Sequence, residues 1–408
     1  MEREPEEILK RKLDRGGFLK LSALAAGAGI LAACGGAEVA GEPAPEETAA
    51  GGAATTEAAP PAETAPPAET APARPPIEEE PGKLQVFEWA GYEYPTYGGE
   101  GGPLQPYIDT YGKPKYTFLT SDDQALGKVR AGFSPDVIHP CIGYVKDWVD
   151  MGAVQPWDPS LLSNFGSLNP AMVAAGQVDG QQYFIPTDWG FSSPLYRSDK
   201  VEPAEESWSL FYDDRYEGKI SWWDSPLENF VIWGYVNGLA DPWDMTDEEI
   251  EEAKQFLISK KHLVRNFWSS QTDMDADFQA GNVWITYAWG ASYTAAKAAG
   301  LDVVYSDPKE GRLSWVCGFA LGTDTENYHH AHKYVDEWSG TASAEWIIAN
   351  YAYGHANTAL DLAKIDPDLV SVFKLDDPSA LDEPKAHIDR YVSRRQAYAK
   401  AWDEVKAA

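Results

Sequence analysis

Basic residues are scarce. The 408-residue chain holds 33 Lys and Arg against 64 Asp and Glu, a formal net charge of −31. With no basic patch to offer phosphates, nucleic acid is excluded as a partner. The same field draws in cations, although a surface adapted for solubility or salt gives the same count. Cysteine is nearly absent: Cys34, Cys141 and Cys317 are the whole supply, so at most one bridge forms within the chain. Long apolar runs are missing too. "LSALAAGAGILAA", Leu21–Ala33, falls short of the roughly 20 residues a membrane helix needs, and no later segment is apolar for that long. There is no G-x-S-x-G, H-E-x-x-H or P-loop. The histidines of "YHHAHKY", Tyr328–Tyr334, invite a metal reading. His329, His330 and His332 cannot all share one helical face, so the tract reads as a solvated helix start. Neither metal nor cofactor is expected.

What is present begins with an export signal over residues 1–33. Arg11, Lys12 and Arg15 form its charged region, followed by the short apolar run. "LAAC", Leu31–Cys34, resembles the lipobox of bacterial lipoproteins, which implies lipidation of Cys34 and anchoring to a membrane outside the cytoplasm. "RGGFLK" resembles a twin-arginine motif with Gly16 in place of its second arginine, leaving the export route open. Residues 34–82 are Ala, Pro, Glu, Thr and Gly, with "PPAETA" occurring twice. Such a tract has too little apolar surface to offset chain entropy, and its prolines keep it extended. It reads as a spacer. The folded part is then about 325 residues from Lys83, enough for two lobes. The chain's 16 Trp and 21 Tyr exceed ordinary core needs and suggest a ring-lined binding surface.

Hydrophobic periodicity alternates strand and helix, which is the pattern of an α/β fold. "KLQVFEW" and "PDVIHP" read as strands, with "DDQALGKVRAG" as a helix between them. "YVKDWVDMGAV" reads as an amphipathic helix with Tyr144, Trp148 and Met151 on one face. Gln181–Asp199 is a long extended stretch suited to a crossing between lobes. Thr246 caps a strong helix whose first turn is acidic. A turn at Gly281-Asn282 leads into a strand over Val283–Trp289, and two more strands follow. Helix is expected over Tyr328–Asn350 and Ile388–Ala407.

The order of the pieces "VFEWAGY", "PDVIHP", "MGAVQPWD", "SLNPAM", "YFIPTDWG", "YEGKISWWDS", "AGNVWITYAWG", "VVYSDPKEGRLSWV" and "YAYGHANTAL" resembles the spermidine/putrescine-binding proteins of bacterial ABC importers. The resemblance implies a two-lobed, periplasmic-binding-protein-like (type II) fold that closes on its ligand. The lobes would be residues 83–192 plus 314–360 and residues 193–313 plus 361–408. It implies a monomer that captures a polyamine and delivers it to ABC permease and ATPase subunits. It also implies a site. Trp89 and Tyr92 match an aromatic pair after the first strand, Ser225 and Glu228 an acidic pair with Asp224 alongside, and Trp315 and Tyr353 two further rings. Trp289 is the nearest match to another tryptophan. Cys141, with Tyr144 close by, falls at a first-lobe position. A late position falls near Ile388. Cys317 stands where the family has an aspartate, and Asp188 is the candidate to replace it. Because Cys141 and Cys317 both fall on site positions, the resemblance brings them close enough to bridge.

"SWWDSPLENF", Ser221–Phe230, keeps other readings open. Ser225 and Glu228 form a capping box around Pro226, or Asp224 and Glu228 grip an ammonium. As a third reading, Asp224 and Glu228 are the two carboxylates of a glycoside hydrolase. A receptor for an amino-acid derivative or a sugar also fits an aromatic cleft.

Overall fold

The computed structural model describes residues 78–377 and 379–408. The export signal, Cys34 and the linker up to residue 77 lie outside them. The first half contributes β1 (Gln85–Trp89), α1 (Gln105–Tyr111), β2 (Lys115–Leu119), α2 (Asp122–Arg130), β3 (Val137–Ile138), α3 (Val145–Asp150), β4 (Val154–Gln155), α4 (Pro170–Ala175), β5 (Gln177–Val178) and β6 (Gln181–Gln182). The long strand β7 (Phe184–Arg197) leads into β8 (Ile220–Trp223), α5 (Pro226–Val236), α6 (Asp247–Lys260), β9 (Val264–Trp268), α7 (Gln271–Gln279), β10 (Ile285–Trp289), α8 (Gly290–Ala298) and β11 (Val303–Tyr305). A second long strand, β12 (Arg312–Gly322), returns. It is followed by α9 (Tyr328–Trp338), α10 (Thr341–Tyr351), β13 (Gly354–His355), α11 (Pro367–Phe373), β14 (Ala386–Ile388) and α12 (Arg395–Ala407).

One sheet threads both halves in the order β2-β1-β3-β12-β7-β10-β8-β9. The β1, β2 and β3 pairings are parallel, as are those of β8 with β9 and β10. β7 and β12 run antiparallel from Phe184–Ala320 to Ser192–Leu313, and β10 continues along β7 from Ser192. Thirteen of the fourteen β7 residues are buried, as a strand covered on both faces requires. Its Pro186 lies where the register shifts between Cys317 and Gly318, a place where a missing N–H is tolerated. Gly318 permits the close approach: a Cβ there would stand 2.2 Å from the Ile185 carbonyl.

Thr246 forms a complete capping box with Glu249. Elsewhere long-range partners overrule the local pattern. The helix expected over Tyr328–Asn350 breaks after Trp338. The Ser339 carbonyl accepts from Asn357 Nδ2 at 2.7 Å, and Ser339 Oγ donates back to Val335 at 2.7 Å. Ile388 belongs to a strand rather than to the last helix, because β14 pairs in parallel with Arg312–Ser314. The folded chain also starts before Lys83. The Glu80 carboxylate accepts from the His329 and His330 backbone N–H groups at 2.8 and 3.3 Å, a favourable partner for a helix start. His332 sits between the Tyr328 carbonyl and the Asp158 N–H, so this tract is packed rather than solvated. Much of the aromatic load is core: Trp148, Trp208, Trp222, Trp243, Trp338 and Trp402 are buried.

Candidate functional site

Side chains of paired strands share a face where they stand opposite one another. Asp188 lies opposite Cys317, Gly190 opposite Trp315 and Ser192 opposite Leu313. Asp188, Trp315 and Ser192 therefore line one face over about 13 Å of strand. The Trp315 ring covers Gly190, where a Cβ would come within 2.5 Å of it. Tyr353 meets Trp315 edge-on at 4.8 Å. The Trp315 indole N–H is buried without a partner among the described residues.

At one end of this face stands a buried charge cluster. His139 follows β3, and its ring bridges Glu88 (Nδ1–Oε1 2.5 Å) and Asp188 (Nε2–Oδ1 3.2 Å). Tyr92 and Thr187 donate to Asp188 at 2.9 and 3.1 Å. Burial pushes the imidazole down, but the Glu88 charge and the two carboxylate hydrogen bonds outweigh it and raise it to about 10. Burial likewise pushes Asp188 up, while His139, Tyr92 and Thr187 hold it below the ordinary carboxylate range. Glu88 stays raised, since its desolvation exceeds the help from His139.

The other end is acidic and, among the described residues, has no such internal cation. Glu228, in the first turn of α5, and Asp389, just beyond β14, are both raised by burial, and their mutual repulsion adds to the Asp389 shift. Tyr287 is raised well above its usual value by burial and then by these two charges. Its ring stacks on Trp223 at 5.2 Å, and Trp289 stands perpendicular to Trp223 at 5.3 Å. Tyr92, Glu228, Tyr353 and Asp389 are half-buried and retain accessible surface.

The residues expected at the site divide. Tyr92, Asp188, Trp315 and Tyr353 meet at the first end and the middle, and Glu228, Ser225 and Trp289 at the second. Trp89 and Tyr144 pack instead against a small cluster around Phe87 and Trp148, and the Arg395 guanidinium lies 3.7 Å over the Tyr144 ring. Cys141 and Cys317 form a disulfide with Cα atoms 4.1 Å apart. The capping box at Ser225 does not form. Ser225 is at the N-cap, but its hydroxyl donates to the Glu228 carboxylate, and its own N–H bonds the Trp223 carbonyl. Asp224 Oδ1 accepts from Trp402 Nε1 at 2.7 Å and Lys406 Nζ at 2.9 Å, tying α12 to the end of β8. Asp224→Ala is expected to cost about 1–3 kcal/mol by orphaning these donors and to leave ligand affinity unchanged. Melting and calorimetry on the same variant check this; lost affinity at full stability would return Asp224 to the ligand.

Sequence reasoning missed Glu88, His139, Trp223, Tyr287 and Asp389. A glutamate inside "VFEW" and a histidine closing "DVIHP" were available signals, since charge in a buried strand needs a partner. Nothing local marked Asp389.

The profile of the family described as bacterial extracellular solute-binding protein matches residues 117–369, more than half of the chain. The chain belongs to that family. A spermidine/putrescine-binding periplasmic protein of Escherichia coli (strain K12) is 27% identical over 287 residues, covering 68% of this chain and 78% of that one. A putrescine-binding periplasmic protein of the same strain is 25% identical over 296 residues, with the same coverage. Among solved structures, a putative spermidine/putrescine ABC transporter from Listeria monocytogenes superposes with a TM-score of 0.64 at 17% identity, covering 79% of this chain and 98% of that one. The fold is thus the two-lobed periplasmic-binding-protein type, and the solute-binding protein is a transport component rather than an enzyme.

Proposed function

We propose that this solute-binding protein captures a polyamine, spermidine or putrescine, between its lobes and delivers it to the permease of an ABC importer. One observation carries the reading: the cleft is walled by rings, and its charge is predominantly negative. At one end Glu88 and Asp188 flank one internal cation, His139; at the other, Glu228 and Asp389 have no ion-pair partner among the described residues. Ammonium groups gain from carboxylates and ring faces together, and the methylenes between them lie against Trp315 and Tyr353. Residues 83–192 plus 314–360 and residues 193–313 plus 361–408 are the two lobes in this reading, hinged on β7 and β12. Lipid at Cys34 and the spacer that precedes Glu80 tether them outside the cytoplasm as a monomer.

A thermal-shift panel of polyamines, sugars and amino-acid derivatives on the purified protein tests the ligand. Spermidine or putrescine at a hundredfold excess over Kd is expected to add about 2.7 kcal/mol of stability. That gain should shrink with salt. Stabilisation by sugars or amino-acid derivatives with none by polyamines would overturn the proposal.

A further inference from the structure

We propose that Arg395 is a latch between the lobes: from the start of α12 it grips residues 143–147, holds the lobes closed and so raises ligand affinity from outside the ligand's own contacts. The latch does not depend on which solute is bound.

The helix that carries Arg395 is fixed to the second half of the chain. Tyr398 donates to the Pro242 carbonyl at 3.1 Å and accepts from the Met245 N–H at 2.9 Å, and Trp402 and Lys406 hold Asp224. The segment it grips is fixed to the first half. Cys141 is bridged to Cys317 and held by Asp122, and Trp148 is buried in the cluster with Phe87, Leu119 and Ile138. Arg395 spans the two. Its Nη1 donates to Asp147 Oδ2 at 3.1 Å and its Nη2 to the Gly143 carbonyl at 3.0 Å, while the guanidinium lies 3.7 Å over the Tyr144 ring. Neighbouring residues meet as closely. Lys146 Nζ lies 5.6 Å over the Tyr391 ring, and a Cβ on Gly143 would stand 3.3 Å from the Arg390 carbonyl.

The helix itself gives no reason for this cation. Arg394 is the N-cap of α12 and Arg395 its first residue, where the positive end of the dipole disfavours a cation. Arg394 is answered within the second half, by Asp247 and the Met245 carbonyl. Arg395 is answered by the first half. A flat fork that bonds a carboxylate and a carbonyl while its plane covers a ring is guanidinium chemistry, which an ammonium does not reproduce. Its partners all lie on one lobe, so they are lost together when the lobes part. A contact present only in the closed state shifts the equilibrium toward that state, and apparent affinity rises with the closed fraction. Gly143 belongs to the device, because its missing side chain lets the two backbones meet.

The charge of Arg395 also reaches Glu228, so the test variants keep it: Arg395→Lys, Asp147→Asn and Gly143→Val. Lobe separation is read without ligand, as the distance between spin labels at two exposed helix positions, Arg130→Cys on α2 and Glu252→Cys on α6. Cys34→Ser in the same chain leaves no other free thiol. The parent should show mainly a short distance. Each variant should melt close to the parent and add a longer distance, raising the open-to-closed ratio about three- to tenfold. Spermidine affinity, measured by calorimetry, should fall by the factor by which the closed fraction falls. A parent that is open without ligand, variants with the parent's distances, or an affinity that ignores a fallen closed fraction would overturn the latch. If the distances shift as expected but spermidine does not bind, the latch stands and the polyamine reading falls.

Discussion

Replacing His139 with leucine is expected to cost about 3–5 kcal/mol, the penalty for breaking a buried ion pair by removing one member. His139 and Glu88 have no exposed surface and Asp188 only 1%. The imidazolium is the sole cation within contact of both carboxylates among the described residues. Leucine fills the volume and leaves two carboxylates facing one another. One of them must then take a proton, and the Tyr92 and Thr187 hydrogen bonds to Asp188 lose the anion that makes them strong. Because Tyr92 and Asp188 belong to the proposed ligand site, ligand affinity should fall with stability. The pH dependence has a definite sign. The raised His139 contributes fully below its unfolded value near 6.5 and loses that contribution as pH climbs through about 10. Asp188, lowered in the fold, contributes above its unfolded value and loses its contribution as acid protonates it. Glu88 opposes them, since its raised carboxyl costs stability once ionised. Denaturant melts across pH should give the wild type a loss of stability toward pH 10 that His139→Leu lacks. Equal midpoints for the two proteins near neutral pH would show that the cluster carries no net stability.

That cluster also marks how far sequence reaches. The long crossing strand was legible as an extended stretch with a proline at each end of its centre, Pro186 and Pro194, which a helix interior would not accept. The Thr246 cap was legible because its partner Glu249 is three residues away. Ser225 and Glu228 have the same spacing, yet the box failed. The Ser225 N–H went to Trp223, and the Glu228 carboxylate took the serine hydroxyl inside a cleft that no local rule describes. Asp224 looked available for a ligand for the same reason: its partners, Trp402 and Lys406, are almost the length of the second half away. Asp389 acquires its environment wholly from the pairing of β14 with β12. Rings were over-read, because a tryptophan-rich core and a tryptophan-lined cleft look alike in composition. Local spacing fixes caps and periodicity, whereas a site assembled from crossing strands depends on register, which sequence leaves free.

Removing the Cys141–Cys317 bridge should have an effect of similar size. The bridge closes a loop with a sequence separation of 176, and the chain-entropy account places such a crosslink at about 4–5 kcal/mol. Its position gives it a second role. Cys317 stands opposite Asp188 on β7. The Cys141 N–H is held by Asp122 Oδ1 at 3.1 Å, and Cys141 follows His139 by two residues. The bridge therefore fixes the segment carrying the imidazolium to the strand facing its carboxylate partner. The double variant Cys141→Ser, Cys317→Ser is expected to lose about 3–5 kcal/mol in denaturant unfolding. Reductant should bring the wild type down to the same midpoint and leave the variant unmoved. Affinity at a temperature where both proteins are folded separates two contributions. A variant that binds as tightly as the wild type would confine the bridge to the unfolded chain. A weakened one would show that the crosslink also sets the His139–Asp188 geometry of the proposed ligand site.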